Sequence, residues 1–134
     1  RQQYPAYQVH IHLTNPPQSD EQLIFYGNRQ LLTTAIKNIV ENACKYSQDG
    51  TAQLNLMIEG ESISLSIADK GPGIPAETLP FIFEPFYRSP GVDKVKGFGI
   101  GLALAHRILK AHKFSIKVES TIGIGTKFTI RFSN

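Results

Sequence analysis

The stretch Ser62-Ile63-Ser64-Leu65-Ser66-Ile67-Ala68-Asp69-Lys70-Gly71-Pro72-Gly73 decides how this chain is read. Ile63, Leu65 and Ile67 alternate with Ser62, Ser64 and Ser66, and side chains two apart share one face of a strand. Asp69 is in phase with the apolar set, so the strand aims a carboxylate where its core face points. A buried carboxylate is costly unless something pairs with it. A strand that ends on one and then enters a glycine turn points to a polar ligand held at its end.

Working outward, Ala52, Leu54, Leu56 and Ile58 share a face and Gly60 turns the chain, which predicts an antiparallel hairpin with the Asp69 strand. Tyr7, Val9, Ile11 and Leu13 alternate with Gln8, His10 and His12 in an earlier strand that Asn15-Pro16-Pro17 ends. Leu23 to Tyr26 reads as a short extended segment stopped at Gly27, and Asn28 as a helix N-cap. Residues 29–46 carry a helical period: Leu32, Ala35, Ile36, Ile39, Val40 and Ala43 form one stripe, with Asn38, Glu41, Asn42 and Lys45 on roughly the opposite side. Past Asp69, residues 71–99 hold most of the prolines and many glycines, with one helical turn expected within 77–83. A second helix is predicted over 100–112, with Leu102, Ala105, Ile108 and Leu109 inward. Phe114, Ile116 and Val118 alternate, Thr121 to Gly125 turns the chain, and Phe128, Ile130 and Phe132 alternate in a last strand. Helices mixed with antiparallel strands predict one sheet covered on one face by helices, an α+β two-layer sandwich.

The composition bounds the function. The 134 residues suffice for one domain with a core and not for two. A net charge of +3 without a clustered basic face argues against nucleic acid. No apolar run approaches the ~20 residues of a membrane span. The chain opens on Arg1, which is expected of a piece of a longer protein. Its one cysteine, Cys44, cannot form an internal disulfide, so a reducing compartment is expected.

Three constellations carry chemistry. Asn38, Asn42 and Lys45 share a helix side, where two amide oxygens and an ammonium suit phosphate and a hard cation that takes few protein oxygens. Such a polar stripe is ordinarily just a solvated face. Asp69 with Gly71 and Gly73 can accept from an exocyclic amine such as adenine's while the glycines let backbone approach closely. It also fits a simple strand end with a tight turn. Gly97-Phe98-Gly99-Ile100-Gly101 opens the second helix, where free amides and the helix dipole favour an anion, within reach of Arg88, Lys94 and Lys96. No G-x-x-x-x-G-K-[ST] exists, and no strand precedes the glycines at 97, 99 and 101, which excludes Walker-type and Rossmann sites. His10 and His12 lack further ligands at metal spacing. His106 and His112 read as surface residues, and Cys44 shows no sign of reactivity.

Taken in order, these segments resemble the boxes of sensor histidine kinases. Asn38-Ile39-Val40-Glu41-Asn42-Ala43-Cys44-Lys45-Tyr46 resembles the asparagine box, and Asp69-Lys70-Gly71-Pro72-Gly73-Ile74 the first glycine box. Ile82-Phe83-Glu84-Pro85-Phe86-Tyr87-Arg88 resembles the phenylalanine box. Gly97-Phe98-Gly99-Ile100-Gly101-Leu102-Ala103-Leu104 resembles the second glycine box, and Gly123-Ile124-Gly125-Thr126-Lys127-Phe128 the last. The resemblance runs from about residue 23 to 132. It implies the Bergerat ATP-binding fold, shared more distantly with gyrase, the Hsp90 chaperone and MutL: a mixed, mostly antiparallel sheet covered on one face by about three helices, as a single domain over 1–134 with an ATP lid at about 84–100.

The resemblance also assigns roles. Asn42 would bind Mg²⁺, with Asn38 beside the metal or phosphates. Lys45 would contact phosphate, Tyr46 would lie against the nucleotide, and Glu41, next to the metal ligand, is a candidate base. Asp69 would accept from the adenine amine with Thr126 close by through water. Gly71 and Gly73 would shape the adenine pocket, with Ile74 beside them. Arg88 would reach the terminal phosphates from the lid. Gly97, Gly99 and Gly101, with Leu102 following, would fold over the phosphates, and Phe83 and Phe86 would anchor the lid. The implied activity is transfer of the ATP γ-phosphoryl group to a histidine on an upstream dimerisation domain absent from this chain. The fragment is therefore expected to bind ATP without phosphorylating itself. The implied partners are that domain and a response regulator receiver domain, in a homodimeric parent. The domain would be cytoplasmic and touch no membrane itself, and anchoring of the parent in the bacterial inner membrane is compatible with it. Alternatives are an anti-sigma-type serine kinase, another Bergerat-fold ATPase, or a catalytically degenerate nucleotide-binding module. The sequence departs from the family pattern at Asn28, where aspartate is common, and at His112-Lys113-Phe114, in place of His-Gly-Gly. Gly-Phe-Gly-Ile-Gly is a mild variant of its box.

Overall fold

Among the described residues, the alternating and helical segments fold as one mixed five-stranded sheet with two α-helices on one face. The computed structural model describes residues 7–14, 27–84 and 101–132. Chain order is β1 (Gln8–Thr14), α1 (Arg29–Tyr46), β2 (Thr51–Glu59), β3 (Ser62–Asp69), α2 (Gly101–Ala111), β4 (Ser115–Thr121) and β5 (Gly125–Arg131), with a 3-10 turn at Leu79–Phe81. The strands lie in the order β1-β2-β3-β5-β4. β1 runs parallel to β2, a pairing that needs the crossover in which α1 lies, and the other three pairs are antiparallel. The extended segment expected at Leu23 to Tyr26 lies outside the described residues.

Register puts the alternating apolar residues in rungs across the inner face. Ile11, Leu54, Ile67, Phe128 and Val118 form one rung; Leu13, Leu56, Leu65, Ile130 and Ile116 form the next. Leu32, Ala35, Ile39 and Ala43 of α1 and Ala105, Ile108 and Leu109 of α2 are buried against this face. Phe114 and Phe132 close its far end with their rings edge to face at 5.3 Å. α1 starts at Arg29 because Asn28 caps it, its side chain accepting from Leu31 N–H at 2.9 Å.

β1 departs from expectation. Its apolar residues face inward in register, yet Val9, Ile11 and Leu13 are 43%, 72% and 49% exposed. α1 packs over β2 and β3 and α2 over β4, so the helix layer sits off this edge strand.

Candidate functional site

The inner face changes character at one end of the sheet. There the rung reads Ala52, Asp69, Thr126, Ser120: the two central strands and the outer β4 all turn polar in the same row. Asp69 is only 9% exposed. Its Oδ1 accepts from the Gly71 amide at 2.8 Å and from the Thr126 amide at 3.3 Å. Oδ2 has no partner among the described residues. Burial pushes the Asp69 carboxyl above its ordinary 3.8, and the Gly71 and Thr126 amides pull it part of the way back. The result is a buried acceptor with one oxygen fixed by two backbone amides.

Two glycines make that geometry possible. At Gly71 the chain passes against the end of α1, where a Cβ would run into the Tyr46 carbonyl. Gly73 has φ 84° and lies against the Thr121 backbone, which excludes an L side chain twice over. The Gly123 amide donates to the Pro72 carbonyl at 2.9 Å, clamping the β4–β5 turn onto the glycine loop. Ile74 N–H donates to Ser120 Oγ at 2.7 Å, and Ser120 Oγ lies 2.9 Å from Thr126 Oγ1. Asp69, Gly71, Thr126, Ser120 and Ile74 are thus drawn into one hydrogen-bonded cluster, with Gly73 packed beside it against Thr121.

The second group gathers where α1 faces the start of α2. Asn38 donates from Nδ2 to the Gly101 carbonyl at 3.3 Å, tying the asparagine helix to the helix that the glycines open. Leu102 follows, half-buried against the core. Glu41, Asn42, Lys45 and Tyr46 are all half-buried, whereas Thr34 and Lys37 are exposed. The polar stripe is therefore the rim of the covered layer and not a fully solvated face. The side chains of Asn42 and Lys45 make no hydrogen bond or ion pair among the described residues. Among the described residues no three His, Cys, Asp or Glu side chains gather around a cation position. Arg88, Gly97 and Gly99, with Phe86, Lys94 and Lys96, lie outside the described residues.

Several contributors escape a motif-based reading. Ser120 carries a signal in hindsight, since it continues the Ile116, Val118 phase just as Asp69 continues that of β3. Ser47 Oγ receives the Lys70 amide at 3.4 Å, and Gln48 N–H donates to the Lys70 carbonyl at 3.3 Å, so the turn after α1 holds the glycine loop.

The two histidines expected at the surface are instead half-buried. His106 stacks on Phe83 at 4.5 Å and 16°, and Phe83 in turn meets the Phe128 edge at 6.2 Å. Burial and Lys110 hold the His106 imidazole below its ordinary value. His112 accepts the Asn28 amide on Nε2 at 3.0 Å, and its Nδ1 lies 2.8 Å from the Ile108 carbonyl, so it bridges the end of α2 to the start of α1. Neither role leaves a trace in local periodicity, because the partners are far apart in sequence. Cys44 is buried and its thiol is pushed up, first by desolvation, which keeps it protonated.

Comparison with known proteins agrees with this arrangement. The model of the histidine kinase-, DNA gyrase B-, and HSP90-like ATPases matches residues 27–134. The heme sensor protein HssS of Staphylococcus saprophyticus is 41% identical over 113 residues, which are 84% of this chain and 24% of that protein. The chain spans between 11% and 27% of the length of the curated relatives it matches. Among solved structures, the mycobacterial sensor histidine kinase MprB superposes with a TM-score of 0.76 at 28% identity, over 92% of this chain and 82% of that one. Full-length ShkA, solved in complex with AMPPNP, superposes at 0.66 with 26% identity, over 92% of this chain and 25% of that one. The chain belongs to the histidine kinase-, DNA gyrase B- and HSP90-like ATPases, as an ATP-binding domain of the sensor histidine kinase type.

Proposed function

We propose that this domain holds ATP with Mg²⁺ and presents the γ-phosphoryl group to a histidine on a separate dimerisation domain of the same sensor kinase. A response regulator then takes the phosphoryl group. The observation that carries the reading is Asp69: a buried carboxylate with Oδ1 fixed by two amides and no partner for Oδ2 among the described residues, at the polar end of an otherwise apolar sheet face. An acceptor held in that way suits the N6 amine of adenine. The ShkA complex supports a nucleotide-binding reading, since the ATP analogue AMPPNP is bound by a protein a quarter of which superposes on this chain.

The chain's own residues divide the work. Asp69 accepts from the base, Thr126 lies beside it, and Gly71, Gly73 and Ile74 form the pocket wall. Lys45 and Asn38 act at the phosphates, Tyr46 lies against the nucleotide, and Gly101 and Leu102 begin the helix whose N-terminus favours anions. Gly97, Gly99 and Arg88 complete the phosphate end by their place in the family boxes. Asn42 fits as the protein ligand of Mg²⁺: it offers a neutral amide oxygen on the rim of the site, and that ion keeps phosphate and water as its remaining ligands. A cation held there would supply charge neutralisation at the phosphates. A base, where one is needed, comes from the upstream domain, with Glu41, next to Asn42, as the alternative within this chain. Phosphoryl transfer is mostly positioning and charge stabilisation, which such a set supplies. The parent is proposed to be a homodimer, with this domain in the cytoplasm whether or not the parent is anchored in the inner membrane.

The test mixes this domain with ATP, Mg²⁺ and a separately expressed histidine-bearing helical domain from the parent protein. Acid-labile phosphate is expected on the helical domain, and none on this chain alone. Acid-stable phosphate on serine, or rapid labelling of a histidine of this chain, overturns the proposal.

A further inference from the structure

His106 belongs to none of the family boxes quoted above, yet its ring holds one of them. Phe83, in the phenylalanine box, meets two other rings. It stacks face to face on His106, with centroids 4.5 Å apart at 16°, and meets Phe128 edge-on at 6.2 Å and 65°. Phe128 is fully buried in the core, so it cannot follow Phe83. α2 is fixed as well: Ala105, Ile108 and Leu109 are buried, and Asn38 ties its first residue to α1. His106 therefore offers Phe83 a platform on a rigid element. Burial, and then Lys110 one turn on, hold the imidazole below its ordinary value, which leaves an uncharged ring at neutral pH. Its ring nitrogens make no hydrogen bond among the described residues, so it works through its face.

The two rings stand at the two ends of one stretch of chain. Phe83 sits on the turn that the Glu84 amide closes onto the Phe81 carbonyl at 3.0 Å, just before residues 85–100. His106 is on the second turn of α2, which begins at Gly101 just after them. The stack thus brings the two ends of that stretch together. Closing a loop costs chain entropy, and a direct contact between its ends offsets that cost. Arg88, proposed above at the phosphates, follows five residues after Phe83. We propose that His106 is a positioning residue for the phosphate end of the nucleotide site: the flat face of its ring, and not its nitrogens, seats Phe83 on α2 and so fixes where the chain toward Arg88 begins. This rests on the nucleotide reading of the site.

The test measures dissociation constants of ATP with Mg²⁺ by titration calorimetry on the full chain, at a temperature where circular dichroism shows every variant fully folded. An affinity that depends on the seated fraction can fall by no more than the ring pair is worth. His106→Ala should therefore weaken ATP by about three- to tenfold. His106→Phe keeps a stacking ring without nitrogens. It should bind ATP within about twofold of wild type and retain transfer to the separate helical domain. Phe83→Ala should weaken ATP in the same way, and adding His106→Ala to it should change affinity by less than about twofold, because both changes remove one contact. A His106→Ala variant that binds ATP like wild type overturns the proposal. So does a His106→Phe variant that is as weak as His106→Ala or fails to support transfer, since the imidazole would then act through its nitrogens. Additive losses in the double variant overturn it as well. In each of these cases the nucleotide site stands, whereas a wild type that binds no ATP overturns both readings. If His106→Ala does not fold, His106→Gln keeps similar bulk without a ring. It should show a loss of about three- to tenfold, and binding like wild type overturns the proposal.

Discussion

Asp69 meets two opposed demands, one from folding and one from binding. Its burial lifts the folded carboxyl above 3.8, so as pH rises the unfolded chain gives up that proton first. The cost to stability is absent below 3.8, grows as pH climbs through the raised folded value, and is complete above it. Asp69→Asn removes the charge and keeps an oxygen for the Gly71 and Thr126 amides. We expect its urea midpoint to equal that of wild type below the window and to exceed it at neutral pH. A wild type that is the more stable at neutral pH would refute the sign. The same change puts an NH₂ where Oδ2 faces the base. ATP binding should fall by roughly ten- to a hundredfold, the worth of a hydrogen bond to a charged group at about 1.5–3 kcal/mol. Titration calorimetry reads it, and unchanged affinity would remove Asp69 from base recognition. Asn42 offers a second residue-scale test. Asn42→Ala should abolish the gain in nucleotide affinity on adding Mg²⁺ and leave metal-free binding within about twofold, because the amide oxygen is proposed as the metal's protein ligand. A metal effect that survives intact places the ligand elsewhere.

At the scale of elements, the helix ends show where local chemistry is obeyed and where it is strained. Asn28 caps α1 through Leu31 N–H, and the uncommon asparagine does this without loss. The end of α2 is less comfortable. Lys113 takes φ 62° in the left-handed region, while Phe114 N–H reaches the Leu109 carbonyl at 3.0 Å and Lys113 N–H that of Lys110 at 2.9 Å. That is the closure a glycine usually provides, made here by a side-chain-bearing residue at a cost of about 1 kcal/mol. The turn into β4 is therefore retained despite the departure from His-Gly-Gly. Lys113→Gly should raise stability by about 0.5–1 kcal/mol, seen as a higher denaturant midpoint at constant slope. A lower midpoint would mean that Lys113 contributes something other than backbone conformation. His112, just before it, shows an element junction that helical periodicity cannot reveal. Its ring is oriented by Ile108 in its own helix, but the amide it accepts belongs to Asn28, 84 residues earlier.

For the whole molecule, the site exists because a sheet ends. Apolar rungs through Phe128 and Ile130 seat the two helices, and one rung further the same three strands present Asp69, Thr126 and Ser120. Phe128, fully buried and in contact with the edge of Phe83, sits where sheet and phenylalanine box meet. Phe128→Ala should cost about 3–5 kcal/mol in urea unfolding. A loss under about 1 kcal/mol would mean that neighbours collapse into the space. Much of this was legible in the chain itself: strand phase placed Asp69 on the core side, the cap and stripe bounded α1 at 29–46, and the order of the boxes identified the family. These are local signals, because periodicity, capping and turn chemistry act between residues a few positions apart. What depended on tertiary structure was which rungs align and which side chains meet across them. Ser120 reached Thr126 and Ile74, Asn38 reached Gly101, and His106 reached Phe83 only once strand order and helix packing were set. β1 likewise kept its apolar alternation yet stays exposed, since alternation selects a face of a strand and only the position of the helix layer decides whether that face is covered.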